Sequence, residues 1–320
     1  GFGGIDAVLL IGFGGPTKPS EVLPFLRHVV RGHNVPERRV QEVARHYEKV
    51  GGSSPYHDLT DRQARSLARW LAARGSSLPV YVGMRNWHPF LSDTITRMRL
   101  DGCRHAVGVI LAPHRCETSW DRYQRDVARA IAATGGDEFS VRYLDPWHDD
   151  PGFIEACAQR LEECLGPTLQ AEGEYRRGEW PDRVSVVFTA HSIPLSMADG
   201  SSYVEQIRSS CHHLADLLGI AGWRLAYQSR SGPPGSAWLA PDINDVIRVE
   251  AERGTRAIIV QAIGFLSDHV EILFDLDVQA ASTAARAGVR FLRATCVNDH
   301  PEFIAMLGRR ILHLAGDATR

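Results

Sequence analysis

The sequence predicts an α/β protein of two similar doubly wound domains facing each other, each a parallel sheet covered by helices. Three observations predict it. Short β-branched runs are apolar nearly throughout instead of alternating, as strands buried on both faces require. Helix-length amphipathic segments separate those runs, the order that builds a parallel sheet. A weak internal repeat then relates "VYVGMRNWHPFLSDTITRMRLDGCRHAVGVILAP" to "LAYQSRSG…LAPDINDVIRVEAERGTRAIIVQAIG". In each copy a strand ends in an Arg-containing loop, a helix closes on Gly102 or Gly254, and a second strand ends at Pro113 or Gly264.

Taken in order, "IDAVLLIGF" (5–13) is the first strand, stopped by a glycine turn and followed by amphipathic helices at 36–48 and 58–74. "LPVYVGM" (78–84), a helix at 89–101, "HAVGVILAP" (105–113), a helix at 119–133 and "FSVRYLDP" (139–146) continue the alternation. A helix at 151–165 precedes "RVSVVFTA" (183–190), a helix at 201–218 and the strand "WRLAYQS" (223–229). The remaining elements are a helix at 242–253, "RAIIVQAIG" (256–264), one long helix at 268–287, "VRFLRA" (289–294) and a helix at 300–315. The polar stretch 167–182, "PTLQAEGEYRRGEWPD", is where the chain is expected to pass between domains. The expected domains are therefore 1–166 and 167–320, with the last helix packing back on the first.

At 320 residues the chain is comfortable for two domains. Its formal net charge of −2 leaves no bulk basic field to hold a nucleic-acid backbone, so no nucleic-acid partner is expected. No apolar run reaches the length of a membrane span. The opening "GFGGIDAVLLIGFGG" carries neither a basic leader nor a cleavage site and reads as the first strand, so an export signal is not expected. Six cysteines without a CxxC pair suggest reduced cytosolic thiols.

Ligands of such folds sit at the carboxyl ends of the strands. "GFGGP" (12–16) lets backbone amides approach a ligand, but it lacks the GxGxxG spacing of a dinucleotide site. His191 stands just past an apolar strand in "FTAHSIP". It reads either as a ligand-facing imidazole or as a histidine satisfied by backbone partners in a turn. In "GFLSDHVEILFDLD" (264–277), Asp268, Glu271 and Asp275 fall on one face of an expected helix. That row is either a solvated acidic face near a helix N-terminus or a set of carboxylates opposite the imidazole. The second arrangement suits a divalent metal of borderline softness, or a site that handles protons and metal together. A nucleophile is disfavoured, because Ser192 follows the histidine directly and GxSxG is missing. Arg31 and Arg230 follow apolar elements and could hold ligand carboxylates in bidentate fashion.

With "LLIGFGGP", "GGSSP", "GMRNWHP", "LAPH", "FTAHSIP", "YQSRSGPP…WLAPDI" and "GFLSDHVEILFDLD" in order, the chain resembles the ferrochelatase family from about residue 5 to 315. The wording "TAHSIPLSMADGSSYVEQ" and "SDHVEILFDLD" is similar to the branch found in actinobacteria, which is implied to insert iron into coproporphyrin III. The resemblance implies two Rossmann-like domains with a porphyrin cleft between them. It implies that His191 binds metal or accepts protons, that Glu271 opposes it, and that Asp275 continues an acidic metal route. Phe13, Arg31, Ser54, Arg85, Tyr123 and Arg230 match or neighbour positions that contact the macrocycle or its propionates. Residues 21–30, "EVLPFLRHVV", match the helix at the pocket's lip, whose apolar content can also be read as peripheral attachment to a membrane.

Departures from the family pattern narrow what is implied. Phe13 replaces a tyrosine that can ligate product iron in some members, and Val30 replaces the first Arg of a double-Arg motif. Gln279 stands where some relatives extend the acidic row. Some members hold an iron–sulfur cluster on C-terminal cysteines. Nothing after Cys296 can do so here, and Cys116 alone cannot hold a cluster that needs four ligands. No cofactor beyond substrate Fe2+ is thus expected.

The expected activity is iron insertion into a porphyrin with release of two protons, in the cytoplasm, with transient contact to neighbouring haem-pathway enzymes. Two alternatives stay open on sequence: a protoporphyrin IX ferrochelatase, and a non-catalytic tetrapyrrole carrier of the same fold. The carrier could dispense with the acidic row that this chain has. A periplasmic-type binding protein is disfavoured by the lack of an export signal.

Overall fold

A computed structural model describes residues 4–135, 138–169, 176–182, 184–232 and 235–317. The chain divides into two compact units, one of Gly1–Ala112, Glu117–Pro146 and Asp299–Arg320, the other of Pro113–Cys116 and Trp147–Asn298.

The first unit is a parallel sheet in the order β2-β1-β3-β4, from β1 (Ala7–Gly12), β2 (Val80–Met84), β3 (His105–Ile110) and β4 (Ser140–Tyr143). Every residue of β1 is buried, because strands flank it and helices cover both its faces. The edge strands β2 and β4 are only partly covered. Helices α1 (Val22–Val29), α2 (Glu37–Lys49), α3 (Tyr56–Ala72), α4 (Leu91–Leu100) and α5 (Arg122–Ala133) belong to this unit, α5 being entered through a π-helical turn, Glu117–Asp121. The last helix, α12 (Pro301–Asp317), also belongs to it and packs on α3. The two approach closely: a Cβ on Gly308 would lie 2.2 Å from the Trp70 ring. Arg62 and Asp299, 2.6 Å apart, pin the start of α12.

The second unit repeats the plan in the order β6-β5-β7-β8, from β5 (Val184–His191), β6 (Trp223–Gln228), β7 (Ala257–Gln261) and β8 (Arg290–Ala294). Around this sheet lie α6 (Pro151–Leu169), α7 (Leu195–Asp199), α8 (Tyr203–Leu218), α9 (Ile243–Glu252), the short α10 (Val270–Ile272) and α11 (Ala281–Ala287). In both units the strand order reverses beside the first strand, at β1/β3 and at β5/β7. Such reversals leave a crevice at the carboxyl ends of the strands, where doubly wound folds bind ligands.

All eight strands lie within their expected runs except β5, which continues to His191. Three features differ from the sequence reading. After the short stretch Pro113–Cys116 the chain passes into the second unit at Trp147 and not in 167–182, of which residues 170–175 lie outside the described residues. Helix α6, in which Phe153, Ile154, Cys157 and Leu161 are buried, therefore belongs to the second unit, where it packs on α8, β7 and β8. The buried Gln261 amide seals that contact by donating to the Cys157 carbonyl at 2.9 Å. Next, the helix expected at 201–218 begins at Tyr203, and Pro194 starts a separate short helix before it.

The third difference bears on function. The helix expected at 268–287 is α10, a π-helical stretch Leu273–Ala280, and α11. His269 is extended, so Asp268 lies outside the helix altogether. An i+5 hydrogen-bond pattern widens each turn, so the spacing that aligned Asp268, Glu271 and Asp275 on one α-helical face does not apply.

All six cysteines are free thiols, five buried and Cys164 half-buried. Burial pushes the thiols of Cys157, Cys211 and Cys296 well up, and that of Cys164 to about 11. Among the described residues no helix is long and apolar enough to cross a membrane.

Candidate active site

In the second unit, His191 is the last residue of β5 and pairs in register with Gln228, the last residue of β6. Its Nδ1 lies 2.5 Å from the Ser192 carbonyl oxygen. A carbonyl only accepts, so the neutral ring carries its proton on Nδ1 and presents the Nε2 lone pair outward. Nε2 stands 3.9 Å from Glu271 Oε2. The Tyr203 hydroxyl holds the strand end by donating to the His191 carbonyl at 3.0 Å. The side chains of His191 and Glu271 remain 34% and 41% exposed, so both can meet a ligand.

Glu271 is also 3.6 Å from His269 Nε2. Desolvation pushes its carboxyl up, but positive charge on His191 and His269 when those rings are protonated, together with the contact from His269, reverses this and brings it down to about 2. Asp275 sits differently. It accepts from the Ser229 hydroxyl and from the buried Gln228 amide at 3.4 Å. Gln228 is itself oriented by the Thr189 hydroxyl at 2.8 Å. Burial raises the Asp275 carboxyl, the Ser229 hydroxyl lowers it, and the charge of Glu271 raises it again, to about 6. Two carboxylates on one short segment thus sit in different environments, Glu271 held toward its ionised form and Asp275 drawn toward protonation.

That separation has a consequence for stability. Asp275 ionises near 3.8 in its ordinary state and near 6 in the fold. Between those values the fold keeps a proton that the unfolded chain has lost, so this group's contribution to stability falls as pH rises. Asp275→Asn removes the ionisation. It is expected to melt above the wild type at about pH 7.5 and to lose that margin at about pH 3.5, as paired thermal melts would read.

Among the described residues no three His, Cys, Asp or Glu side chains are grouped so as to hold a metal ion. The sequence reading placed metal on His191, Glu271 and Asp275 together. The fold brings His191 and Glu271 face to face, and engages Asp275 with Ser229 and Gln228. Asp268 leaves the acidic row: it turns to Arg293 at 2.6 Å and to the side chain of Asn298 at 2.8 Å.

The expected macrocycle contacts in the first unit lie near the ends of β1 and β2. Gly12 and Gly14 are required there: a Cβ on Gly12 would lie 2.8 Å from the Tyr56 hydroxyl, and Gly14 has φ +95 against the backbone of Trp87. Between them Phe13 stays 38% exposed, its ring edge-on to Phe25 at 6.4 Å. Phe25 meets Trp87 in the same way at 5.9 Å, and Trp87 is fixed by donating to Glu21 at 3.0 Å. This aromatic shelf was not foreseen, although "NWHPF" directly after a strand end is its signal.

The remaining candidates differ in availability. Ser54 is buried under the glycine turn, its hydroxyl accepting from the Tyr56 amide at 3.3 Å. Arg85 is committed within the unit, 2.5 Å from Asp126 and stacked on buried Tyr123 with its guanidinium 4.6 Å from the ring centre. Arg31 is exposed beyond the end of α1. Arg230, in the second unit, is exposed and donates to the Ser236 carbonyl at 2.7 Å. Gln228, Ser229, Tyr203 and His269 were missed as site neighbours, though each lies within or beside a motif already singled out.

Known proteins resemble this chain along most of its length. The sequence model of the family described as Ferrochelatase matches residues 5–314. A Rhodopirellula baltica protein named Ferrochelatase is 38% identical over 303 residues, 94% of this chain and 84% of that protein. A Mycolicibacterium smegmatis protein named Coproporphyrin III ferrochelatase is 37% identical over 305 residues, 94% of this chain and 87% of that one. The solved structure of SirB from Bacillus subtilis with Fe3+ superposes with a TM-score of 0.60 at 12% identity, over 98% of this chain and 97% of that one, a likeness of fold.

Proposed function

The chain belongs to the ferrochelatase family, and from that premise we propose that it inserts Fe2+ into coproporphyrin III, giving coproheme for haem synthesis. The observation that carries the chemistry is the His191 Nε2 lone pair facing the ionised Glu271 carboxylate across 3.9 Å. Free porphyrin carries two N–H protons, and both must leave as Fe2+ takes the four nitrogens. His191 accepts one pyrrole proton on Nε2, with Glu271 stabilising the imidazolium that forms, releases it to solvent, and then accepts the second. Glu271 also offers an anionic oxygen to the incoming metal. Asp275, whose carboxyl titrates at about 6, exchanges protons and ions one step further along the π-helical stretch.

Planarity hides the nitrogen lone pairs from an approaching ion. Remote binding of the ring's carboxylates supports the distortion that exposes them. In this reading iron and porphyrin are the obligatory partners, the cytoplasm is the compartment, and no resident cofactor is needed.

Substrate choice rests on the name of the M. smegmatis relative and on charge. Coproporphyrin III carries four propionates and protoporphyrin IX two. With Arg85 committed to Asp126, exposed Arg31 in the first unit and exposed Arg230 in the second are each a candidate donor to a further propionate. One more charge-assisted hydrogen bond contributes about 1.5–3 kcal/mol, or roughly ten- to a hundredfold. Steady-state assays with Fe2+ and each porphyrin side by side test this. The expected result is a kcat/KM for coproporphyrin III higher by about that factor, shrinking in Arg31→Ala. Equal or faster metallation of protoporphyrin IX would overturn the substrate and leave the chelatase.

A further inference from the structure

We infer that Arg293 is a positioning residue, which clamps the segment carrying Glu271 and Asp275 at both ends and holds it wound as a π-helix. The guanidinium reaches from β8, and its side chain is only 10% exposed. Nη1 lies 2.6 Å from Asp268 Oδ1, three residues before Glu271. Nε and Nη2 engage the two oxygens of Asp277, two residues after Asp275, at 2.5 and 3.0 Å. One rigid planar fork thereby fixes the separation of two points that bracket both site carboxylates.

Each arm is itself anchored. Asp268 accepts from the Asn298 side-chain amide at 2.8 Å and from the Cys296 amide at 3.1 Å, and its own amide donates back to Asn298 at 3.1 Å. These contacts tie the start of the segment to the loop after β8. Asp277 lies inside Leu273–Ala280, the π-helical stretch, and its bidentate contact ties the far end to the same strand. A π-helix is rare and occurs mostly as a single turn inside an α-helix, so eight residues of it need an external hold. Without one, relaxation to the tighter α pitch would rotate Asp275 relative to Glu271 and move both against His191. Arg293 touches no reacting atom; it acts through the carboxylates it spaces.

The inference rests on the role given above to Glu271, and the test separates the two. Asp277 is 39% exposed, so Asp277→Ala cuts one arm and leaves the buried pair of Arg293 with Asp268 in place. With the full chain, kcat/KM for Fe2+ is expected to fall by about ten- to a hundredfold, the scale of a misplaced reacting group. KM for the porphyrin should stay unchanged. Backbone amides of 270–280 should exchange hydrogen faster than in the wild type, with the rest of the unit unaltered. Asp277→Asn keeps a carbonyl acceptor for the fork and is expected to recover most of the loss. Should Asp277→Ala not fold, Asp277→Asn and Arg293→Lys, whose single amine cannot span both arms, carry the same two readouts with smaller shifts. Wild-type iron kinetics, or unchanged exchange in 270–280, would overturn the clamp. Glu271→Gln run in parallel judges the other reading: wild-type turnover there removes the role of Glu271, while the Asp277 variants still decide whether Arg293 sets iron insertion through this segment.

Discussion

His191→Ala is expected to lower kcat for iron insertion by about 10²–10⁴-fold, the usual contribution of a positioned general base. The loss follows from geometry. The ring's Nδ1 is bound to the next residue's carbonyl, so Nε2 is the one basic nitrogen His191 can offer a pyrrole proton. Removing the ring leaves Glu271 without the imidazole it faces at 3.9 Å. The fold should survive, because the side chain is 34% exposed and the hydroxyl of Tyr203 holds the backbone carbonyl of residue 191, not its ring. Thermal melting within a few degrees of the wild type, with retained porphyrin binding by fluorescence quenching, would isolate the chemical defect. Turnover within about tenfold of the wild type would remove His191 from proton transfer.

Glu271→Gln is expected to cost about 10²-fold or more in kcat, while Asp275→Asn mainly raises the Fe2+ concentration required. The two carboxylates differ in charge as well as in place. Glu271 is held ionised, its carboxyl down at about 2, beside His191 and His269. An amide there can neither compensate an imidazolium nor bring an anionic oxygen to the metal. Asp275 titrates at about 6 and already accepts hydrogen bonds from Ser229 and Gln228, contacts that an Asn side-chain oxygen can also accept. Initial rates over a range of Fe2+ concentrations separate the two effects. Equal and mild changes in both variants would reduce the pair to a solvated surface.

The sheets were legible because strands buried on both faces must be apolar at every position, and β1, β3, β5 and β7 are nearly so. The approach of His191 to Glu271 was legible for a related reason: at a reversal of strand order the loops after neighbouring strands come together. Asp268 was misplaced because side-chain spacing assumes 3.6 residues per turn. Residues 270–280 are apolar enough to be read as α-helix, and nothing local marks the wider turn. Its partner Arg293 lies on β8, 2.6 Å away, a contact that only the folded chain creates. Arg85 was illegible in the same way. Its loop position suggests a ligand donor, but Asp126 on α5 comes to 2.5 Å and the face of Tyr123 covers it.

The state of the six thiols bears on which ions the protein can tolerate. Cysteine attracts copper, cadmium, mercury and zinc only as thiolate, and a reachable thiolate would scavenge them in preference to iron. Five of these sulfurs are sealed in the interior, and the sixth, Cys164, is half-buried and kept protonated up to about pH 11. The side chains of His191 and Glu271, by contrast, offer nitrogen and oxygen donors, a set that favours borderline metals over soft ones. The same concealment withholds the sulfurs from the peroxide that ferrous iron generates in air, since oxidation follows thiolate character and exposure. Burial of Cys103, Cys116, Cys157, Cys211 and Cys296 thus keeps those five sulfurs out of reach of thiophilic metals and oxidants in the folded chain.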